Sequence, residues 1–448
     1  MTAMSSSAVT IGVDIGTTAV KAVAADEDGN VVARERLPHR LLTPEPDLFE
    51  HQAQRAWAIG PRRAVAKLNR PDARAVAVAA MVPSMTAVNR TGVPITAGLL
   101  YGDRRGRAGG QAVTAAGGGE ALAFLRWAVA AAPGAAGFWP APAVATHALG
   151  RRAVIDIGTA FTTHPLFGGA GWDDKVCAEV GIAPEQLPDV AAMGAEIGKA
   201  RDLAGAILAA GSVDAICEQL VSGADHDGDV LVLCGTTLIT WAVTPTWREV
   251  PGLWSIPHTA PGKFLIGGAS NAGGLFLNWA DRMLGRRPLE DLDPRRIPVW
   301  VPYIRGERTP YHDPERRAAL TGLDLTNGPG AARRAAYEAA GFVVRHHLDL
   351  ADTGAKRLVA TGGGTRVRAW MQALADATCL PVDVAAVPEG AALGAAFLGR
   401  MALGFESNMA DASRWARTAE TVEPDPKWIE SVAERYGRFR ELSAELRS

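Results

Sequence analysis

The sequence predicts an α/β protein built from two related lobes, and the main observation is a repeated Gly-Thr-Thr turn. The first copy, Gly16-Thr17-Thr18, follows an apolar run at 9–15, and the second, Gly235-Thr236-Thr237, follows another at 229–234. The β-branched residues of both runs favour strands, so each turn is expected to join the strands of a hairpin. The two copies lie nearly half a chain length apart. Because glycine lets backbone amides approach an anion, each lobe is expected to present a phosphate-binding turn.

The length and charge of the chain agree with this division. A chain of 448 residues exceeds what one hydrophobic core usually supports, so we expect a first lobe over 1–222 and a second over 223–448. The formal net charge is −2 and the charged fraction is 21%. Because Lys and Arg are not in excess, a nucleic-acid partner is not expected, and a small polar or anionic ligand is favoured.

Cysteine usage and the absence of a leader predict the compartment. The four cysteines are scattered without metal-ligand or redox spacing, which indicates reduced thiols: Cys177, Cys217, Cys234 and Cys379. Residues 1–7 contain no basic segment before an apolar one, and prolines interrupt the most apolar stretch, 121–145. We therefore expect a cytoplasmic protein without a membrane partner, and a homodimer is left open.

Local patterns place the turns within regular elements. Strands are predicted at 9–13, 19–24, 31–36, 73–80 and 357–361, and helices at 52–68, 272–284, 329–351, 366–378 and 426–447. Gly362-Gly363-Gly364 lies between a strand and a helix, where a nucleotide could approach closely; a flexible turn is the equal alternative. Asp214 lies near the start of a predicted helix that ends at Val221. An acid at this position ordinarily caps the helix.

These residues together resemble the FGGY carbohydrate kinases of the actin/hexokinase/Hsp70 ATPase superfamily, and most of all the xylulokinase branch. The matching segments are Val13 to Lys21, Leu100-Tyr101-Gly102-Asp103-Arg104-Arg105, the second Gly-Thr-Thr, Tyr303 to Pro310, and Gly362 to Arg366 with Trp370, Gln372 and Ala375-Asp376. They occur in the family's order and span most of the chain. The resemblance implies two ribonuclease H-like lobes, each a mixed sheet flanked by helices, around an interlobe cleft.

The resemblance also implies ATP and Mg²⁺ as the phosphoryl source. It assigns Asp14 to Mg²⁺, commonly through water, and a carboxylate suits a hard cation beside phosphate charge. The residues that it assigns to ATP and its phosphates are Gly16, Thr17, Thr18, Lys21, Gly235, Thr236, Thr237, Gly362, Gly363 and Gly364. A group must also accept the proton of the attacking sugar hydroxyl, and the family position of this base falls on Asp214.

Sugar binding is implied for Asp103, since a carboxylate can accept hydrogen bonds from two adjacent hydroxyls. The alternative is a surface ion pair with Arg104 or Arg105. Val82 and Pro83 occupy the positions of the Met and His that meet the sugar in xylulokinases, so the histidine donor is missing. The family's glycine-rich turn before the base is replaced by Ala210-Gly211-Ser212-Val213, and the region 111–171 is shorter than in the family.

The leading hypothesis is therefore a kinase acting on a ketopentose or related polyol, with D-xylulose first. The altered turn before Asp214 keeps a second hypothesis open, a degenerate kinase that serves as a sugar- or nucleotide-binding regulatory protein. A third is a non-sugar ATPase of the same superfamily, although the sequence shows no obvious peptide-binding domain.

Overall fold

The computed structural model describes residues 8–107, 118–285 and 292–446. The chain divides into two compact units, Met1–Val221 with Glu389–Trp415 and Ser222–Pro388 with Ala416–Ser448. The predicted division after residue 222 differs from this result, because it places the returning segment Glu389–Trp415 in the second lobe. Residues 111–117 of the shortened region and Arg447 of the last predicted helix lie outside the described residues.

The helices are numbered in chain order. They are α1 Gly60–Leu68, α2 Gly118–Ala131, α3 Ala141–Gly150, α4 Ile157–Phe161, α5 Asp174–Val180, α6 Asp214–Leu220, α7 Gly274–Leu284, α8 Pro329–Ala351, α9 Arg368–Thr378, α10 Gly390–Ala402 and α11 Pro426–Glu445. A π-helical turn, Gln54–Ile59, leads into α1. The single helix predicted at 52–68 is thus two consecutive helical segments.

The strands are also numbered in chain order. They are β1 Thr10–Ile15, β2 Ala19–Ala25, β3 Val31–Pro38, β4 Glu50–His51, β5 Ala75–Ala80, β6 Ser84–Val88, β7 Gly98–Leu100, β8 Gly137–Trp139, β9 Val154–Asp156, β10 Asp189–Ala191, β11 Glu196–Lys199, β12 Ile207–Val213, β13 Asp229–Cys234, β14 Leu238–Thr244, β15 Trp254–Pro257, β16 Phe264–Ser270, β17 Val299–Val301, β18 Ala319–Thr321, β19 Arg357–Thr361, β20 Val382–Ala385 and β21 Thr418–Val422.

The first unit is organised around a six-stranded mixed sheet in the order β11-β12-β5-β1-β2-β3. β5 runs parallel to β1 and to β12, whereas β1, β2 and β3 form an antiparallel meander. On one face of the sheet, Ile11, Val13 and Ile15 join a core that includes Trp57 and Val144. The strands predicted at 9–13, 19–24 and 31–36 are confirmed.

Helix α10 covers the other face of β1. A Cβ at Gly12 would lie only 1.7 Å from the carbonyl oxygen of Ala392, so glycine is required where the helix crosses the strand. A Cβ at Gly394 would meet the carbonyl oxygen of Cys217 at 1.9 Å. These close approaches explain why the returning segment belongs to the first unit.

The second unit contains a seven-stranded mixed sheet in the order β15-β16-β14-β13-β19-β20-β21. Helices α7, α8, α9 and α11 contribute to one large core with its strands. Val432, Tyr436, Phe439 and Leu442 of α11 are buried in this core, as the spacing of the last predicted helix indicates. Each unit is therefore a mixed sheet flanked by helices, which confirms the predicted fold class.

Two further expectations can be compared with the structure. All four cysteines are free thiols, and Cys234 is buried within the core of the second unit. Among the described residues, no helix combines the length and the apolar character that crossing a bilayer would require.

Candidate functional site

The first Gly-Thr-Thr turn joins β1 to β2 and is held by hydrogen bonds on both sides. The Gly16 amide donates to the Ala19 carbonyl oxygen at 3.1 Å, and the His39 amide donates to that of Thr18 at 3.0 Å. The Thr17 hydroxyl lies 2.7 Å from the Tyr101 hydroxyl. Gly16 is half-buried and Thr18 is exposed, so this part of the turn is open to a ligand.

Asp14 and Lys21 form a cross-strand ion pair beside this turn. Lys21 Nζ lies 3.0 Å from Asp14 Oδ2. The negative charge of Asp14 raises the pKa of Lys21, burial opposes this effect, and Glu218 and Glu389 add to the increase. Lys21 therefore stays cationic at neutral pH.

The second carboxylate oxygen of Asp14 is suited to bind a metal ion or a water molecule. Asp14 Oδ1 is buried and has no hydrogen-bond partner among the described residues. The part of the chain that the structure describes contains no group of three or more His, Cys, Asp or Glu side chains placed to hold a metal. Mg²⁺ commonly keeps several waters and binds one or two carboxylates together with substrate phosphates, so a single Asp14 is a suitable donor set.

Asp214 is the first residue of α6 and follows β12 directly. In the sheet, Asp14 of β1 and Ser212 of β12 are both register partners of Ala79, from opposite sides of β5. Two inter-strand spacings separate these partners by about 10 Å. Because β1, β5 and β12 are parallel, Asp14 and Asp214 lie toward the same carboxyl edge, where α/β sheets commonly bind ligands.

Asp214 bonds a first-turn amide of α6 without being its N-cap residue. Val213 is the N-cap residue of α6 and makes no side-chain cap bond, while Asp214 Oδ1 accepts a hydrogen bond from the Ala215 amide at 2.8 Å. Asp214 is half-buried. Its carboxylate therefore belongs to the first helical residue rather than to the cap.

The segment before Asp214 is strand rather than glycine-rich turn. A Cβ at Gly211 would lie 1.9 Å from the Val78 carbonyl oxygen, so glycine is needed there for close strand packing. Ser212 Oγ donates to Asp156 Oδ2 at 2.8 Å. Burial raises the pKa of Asp156, and hydrogen bonds from Thr159, Ser212 and Gly158 oppose this effect. The sequence interpretation missed Asp156, although an acid directly after the apolar pair Val154-Ile155 is a recognisable strand-end signal.

Val82 and Pro83 follow β5 and so lie beyond the same carboxyl edge. Val82 is half-buried and Pro83 is buried. The Met81 amide before them donates to the Ile15 carbonyl oxygen at 3.2 Å. Neither side chain carries a hydrogen-bonding group, so this pair can shape a substrate site but cannot bond a sugar hydroxyl through its side chains.

Asp103 does not have the accessibility expected of a sugar ligand. Its residue is 0% exposed. Asp103 Oδ1 accepts from the amide and Nε of Arg105, and Oδ2 accepts from Arg105 Nη2 and the Phe49 amide. Both carboxylate oxygens therefore already accept hydrogen bonds from the protein, which does not favour the expected sugar contact. The alternative ion pair with Arg105 is present, but it is buried rather than on the surface.

The second Gly-Thr-Thr turn joins β13 to β14 and rests on the start of α7. The amides of Gly274 and Leu275 donate to the carbonyl oxygens of Gly235 and Thr236 at 2.8 and 3.1 Å. A Cβ at Gly273 would lie 2.5 Å from the Leu238 nitrogen. The sequence interpretation missed Gly273 and Gly274, which pack against this turn.

The triple glycine follows β19 in the same unit, and its members differ in purpose. Gly362 has φ +91°, and a Cβ there would lie 3.1 Å from the Cys234 carbonyl oxygen. A Cβ at Gly364 would collide with the Trp370 ring at 2.1 Å, whereas Gly363 faces open space. Packing therefore requires Gly362 and Gly364, and Gly363 leaves room for a ligand. Gly363 and Gly364 begin a 3₁₀ turn, Gly363–Arg366, and α9 follows it, two residues later than predicted.

This chain is similar to known proteins in both sequence and fold. Residues 9–122 match the sequence profile of the N-terminal domain of the FGGY family of carbohydrate kinases, and residues 230–403 match that of its C-terminal domain. A xylulose kinase from Klebsiella pneumoniae is 23% identical over 98% of this chain and 99% of that protein. A gluconokinase from Bacillus subtilis is 24% identical over 88% of this chain and 87% of that protein. The solved structure of a xylulose kinase from Rhodospirillum rubrum matches with a TM-score of 0.78 and 25% identity, covering 98% of this chain and 99% of that one.

Proposed function

We propose that this chain, which belongs to the FGGY family of carbohydrate kinases, transfers the γ-phosphoryl group of ATP to a hydroxyl of a ketopentose or related polyol. The observation that supports this most is the pair Asp14 and Asp214 at the carboxyl edge of one sheet. One carboxylate suits the metal that accompanies a nucleotide, and the other suits the proton acceptor that phosphoryl transfer to a hydroxyl needs.

The phosphates of ATP would be bound by the two Gly-Thr-Thr turns and approached by Gly363. Asp14 Oδ1, which lacks a protein partner among the described residues, would hold Mg²⁺ directly or through water. A bound Mg²⁺ ion neutralises phosphate charge and orients the phosphates. Lys21 keeps its positive charge next to Asp14 and would attract the polyphosphate.

Asp214 would accept the proton of the sugar hydroxyl while the hydroxyl oxygen bonds to the γ-phosphorus and the bond to ADP breaks. Asp214 directly follows β12, and the hydrogen bond from Ser212 to Asp156 fixes the end of this strand. Because Asp214 is half-buried, its carboxylate remains reachable by a substrate.

The acceptor is proposed as a small polyol, with D-xylulose as the leading candidate because xylulose kinases are among the similar proteins. A gluconokinase also matches at similar identity, so the family alone does not select the sugar. Val82 and Pro83 would contribute shape without hydrogen bonds. We do not assign Asp103 to the sugar, because its carboxylate is buried and bonded to Arg105.

The test is substrate-dependent ADP formation across a panel of ketopentoses, aldonic acids and polyols. We expect turnover with at least one ketopentose, and a loss of kcat of about 100-fold or more in Asp214→Asn, as for removal of a general base. Asp202→Asn is the matched control, because Asp202 is an exposed acid paired with Arg62.

No turnover with any acceptor, in a protein that still binds ATP, would contradict the proposal. Calorimetric binding of sugar, combined with residual turnover that Asp214→Ala leaves unchanged, would instead support a regulatory binding protein. ATP hydrolysis that no acceptor alters would support a non-sugar ATPase.

A further inference from the structure

A cavity of about 490 Å³ in the first unit lies apart from the residues assigned above. The end of β3, the π-helical turn and the start of α1 form its walls, and Val20, Leu37 and Ile59 contribute apolar surface. Val20 and Lys21 are neighbours in β2, and neighbouring strand residues point to opposite faces of a sheet. The cavity therefore lies on the face opposite the Asp14–Lys21 pair.

Three arginines line this cavity, Arg40, Arg55 and Arg63, and no Asp or Glu does. Within the described ranges, the side chains of Arg40 and Arg63 form no hydrogen bond or ion pair, and Arg55 contacts only Gln52, at 3.3 Å. Other cations of α1 are paired, since Arg62 contacts Asp202 at 2.7 Å and Lys67 contacts Glu35 at 3.1 Å. The cavity thus concentrates positive charge without a counter-charge from the protein.

We propose that this cavity, which we call the arginine pocket, binds a small polyanion of the phosphate class, such as a phosphate ester or a polyphosphate. Guanidinium groups bond phosphate oxygens in a bidentate manner, and like charges in one concavity repel until an anion neutralises them. The volume exceeds that of a single phosphate ion, and the apolar wall can cover the carbon part of an ester. Gln52 adds a neutral hydrogen-bonding group at the rim.

The arginine pocket borders the first Gly-Thr-Thr turn without including it. His39 lines the pocket, and its amide donates to the Thr18 carbonyl oxygen at 3.0 Å. A polyanion bound in the arginine pocket would contact the segment around His39, which is hydrogen-bonded to the turn.

The test is calorimetric titration of the full chain with inorganic pyrophosphate in Mg²⁺-free buffer. We expect Arg55→Gln/Arg63→Gln to weaken one binding event at least about tenfold, because two charge-assisted contacts are lost. Arg90→Gln, which removes an exposed arginine from the hairpin at 89–92, should bind as the unchanged protein does. Affinity should also fall as salt is raised.

Unaltered pyrophosphate binding in the double variant would overturn the proposal, since binding would then occur elsewhere, for instance at the glycine turns. Absence of any binding by the unchanged protein would overturn it as well. Arg55→Lys/Arg63→Lys, which keeps both charges, should retain part of the affinity. Sugar-dependent ADP formation by the double variant separates failure of this site from failure of the proposed kinase function.

Discussion

The imidazole of His51 contacts the backbone of the first Gly-Thr-Thr turn, with Nε2 lying 2.8 Å from the Thr17 carbonyl oxygen. The other ring nitrogen, Nδ1, accepts from Trp57 Nε1 at 2.9 Å. Because an indole nitrogen can only donate, Nδ1 carries no proton and Nε2 must be the donor to Thr17. Burial lowers the pKa of His51 to about 4, so the ring is neutral at physiological pH.

These two hydrogen bonds predict that His51 holds the turn in position and takes no part in the reaction. In His51→Ala, the Thr17 carbonyl and the Trp57 indole both lose a buried partner, and we expect the KM for ATP to rise about tenfold with a smaller change in kcat. His51→Gln supplies one donor and one acceptor and should recover most of the affinity. The control is His226→Ala, because the His226 side chain is 84% exposed. Equal KM values for His51→Ala and the unchanged protein would contradict the positioning role.

The second prediction concerns the metal. Asp14→Asn removes the charge that is offered to Mg²⁺, so the Mg²⁺ concentration for half-maximal activity should rise at least about tenfold. Asp72→Asn, at an exposed acid paired with Arg70, serves as the comparison. Magnesium titrations of ADP formation measure the effect, and overlapping curves for the two variants would count against Asp14 as a ligand.

The extent to which the sequence predicted the structure differs between local and long-range features. Helix α8 and strand β19 begin and end where predicted. A Pro at the start of the helix and a short apolar run with β-branched residues in the strand are local signals. The return of α10 to the first unit depends on Gly12 and Gly394, whose partners are distant along the chain. No local pattern encodes such contacts.

The same limit applies to the candidate site. Short motifs predict that Asp14 and Asp214 lie at strand ends. In the structure both residues lie toward the same edge of the sheet. The burial of Asp103 depends on a hydrogen bond from the Phe49 amide, 54 residues earlier, and on Arg105 being turned inward over Trp127. A motif alone identifies the residue type but does not show whether its oxygens are already occupied.

The third prediction uses the buried carboxyl of Glu307 in the Gly-Glu-Arg-Thr-Pro string. Glu307 accepts hydrogen bonds from Ser270 Oγ and the amides of Asn271 and Arg308. Burial raises the pKa of Glu307 from 4.5 to about 7, although these bonds oppose the increase. Between these two pKa values the native state binds more protons than the unfolded state, so the free energy of unfolding falls as pH rises.

Glu307→Gln removes this titration. We expect the urea midpoint of the unchanged protein, relative to that of the variant, to decline from pH 5 to pH 7.5. Glu315→Gln, at an exposed glutamate, should keep the pH dependence of the unchanged protein. If the midpoints of Glu307→Gln and the unchanged protein run parallel with pH, Glu307 does not titrate in this range.

The last prediction concerns an ion network buried in the second unit. Glu338 of α8 accepts from Arg334 Nε at 2.8 Å and from Arg435 Nε of α11 at 2.7 Å. Arg334 also contacts Asp376 of α9 at 2.7 Å, and the three residues Arg334, Glu338 and Arg435 are all buried. One carboxylate therefore balances charge on two helices, and its removal leaves the buried Arg435 guanidinium without its carboxylate partner, whereas Arg334 keeps Asp376.

We expect Glu338→Ala to lower the free energy of unfolding by about 3–5 kcal/mol, since an unpaired buried charge is far more costly than a lost surface pair. Glu434→Ala removes an exposed acid from α11 and should change the free energy by less than about 0.5 kcal/mol. Urea unfolding followed by tryptophan fluorescence measures both. The double variant Glu338→Leu/Arg435→Met replaces this charge pair by apolar side chains, leaves Arg334 paired with Asp376, and should recover stability relative to Glu338→Ala. If the combined variant were no more stable than Glu338→Ala, the loss would reflect altered helix packing rather than uncompensated charge.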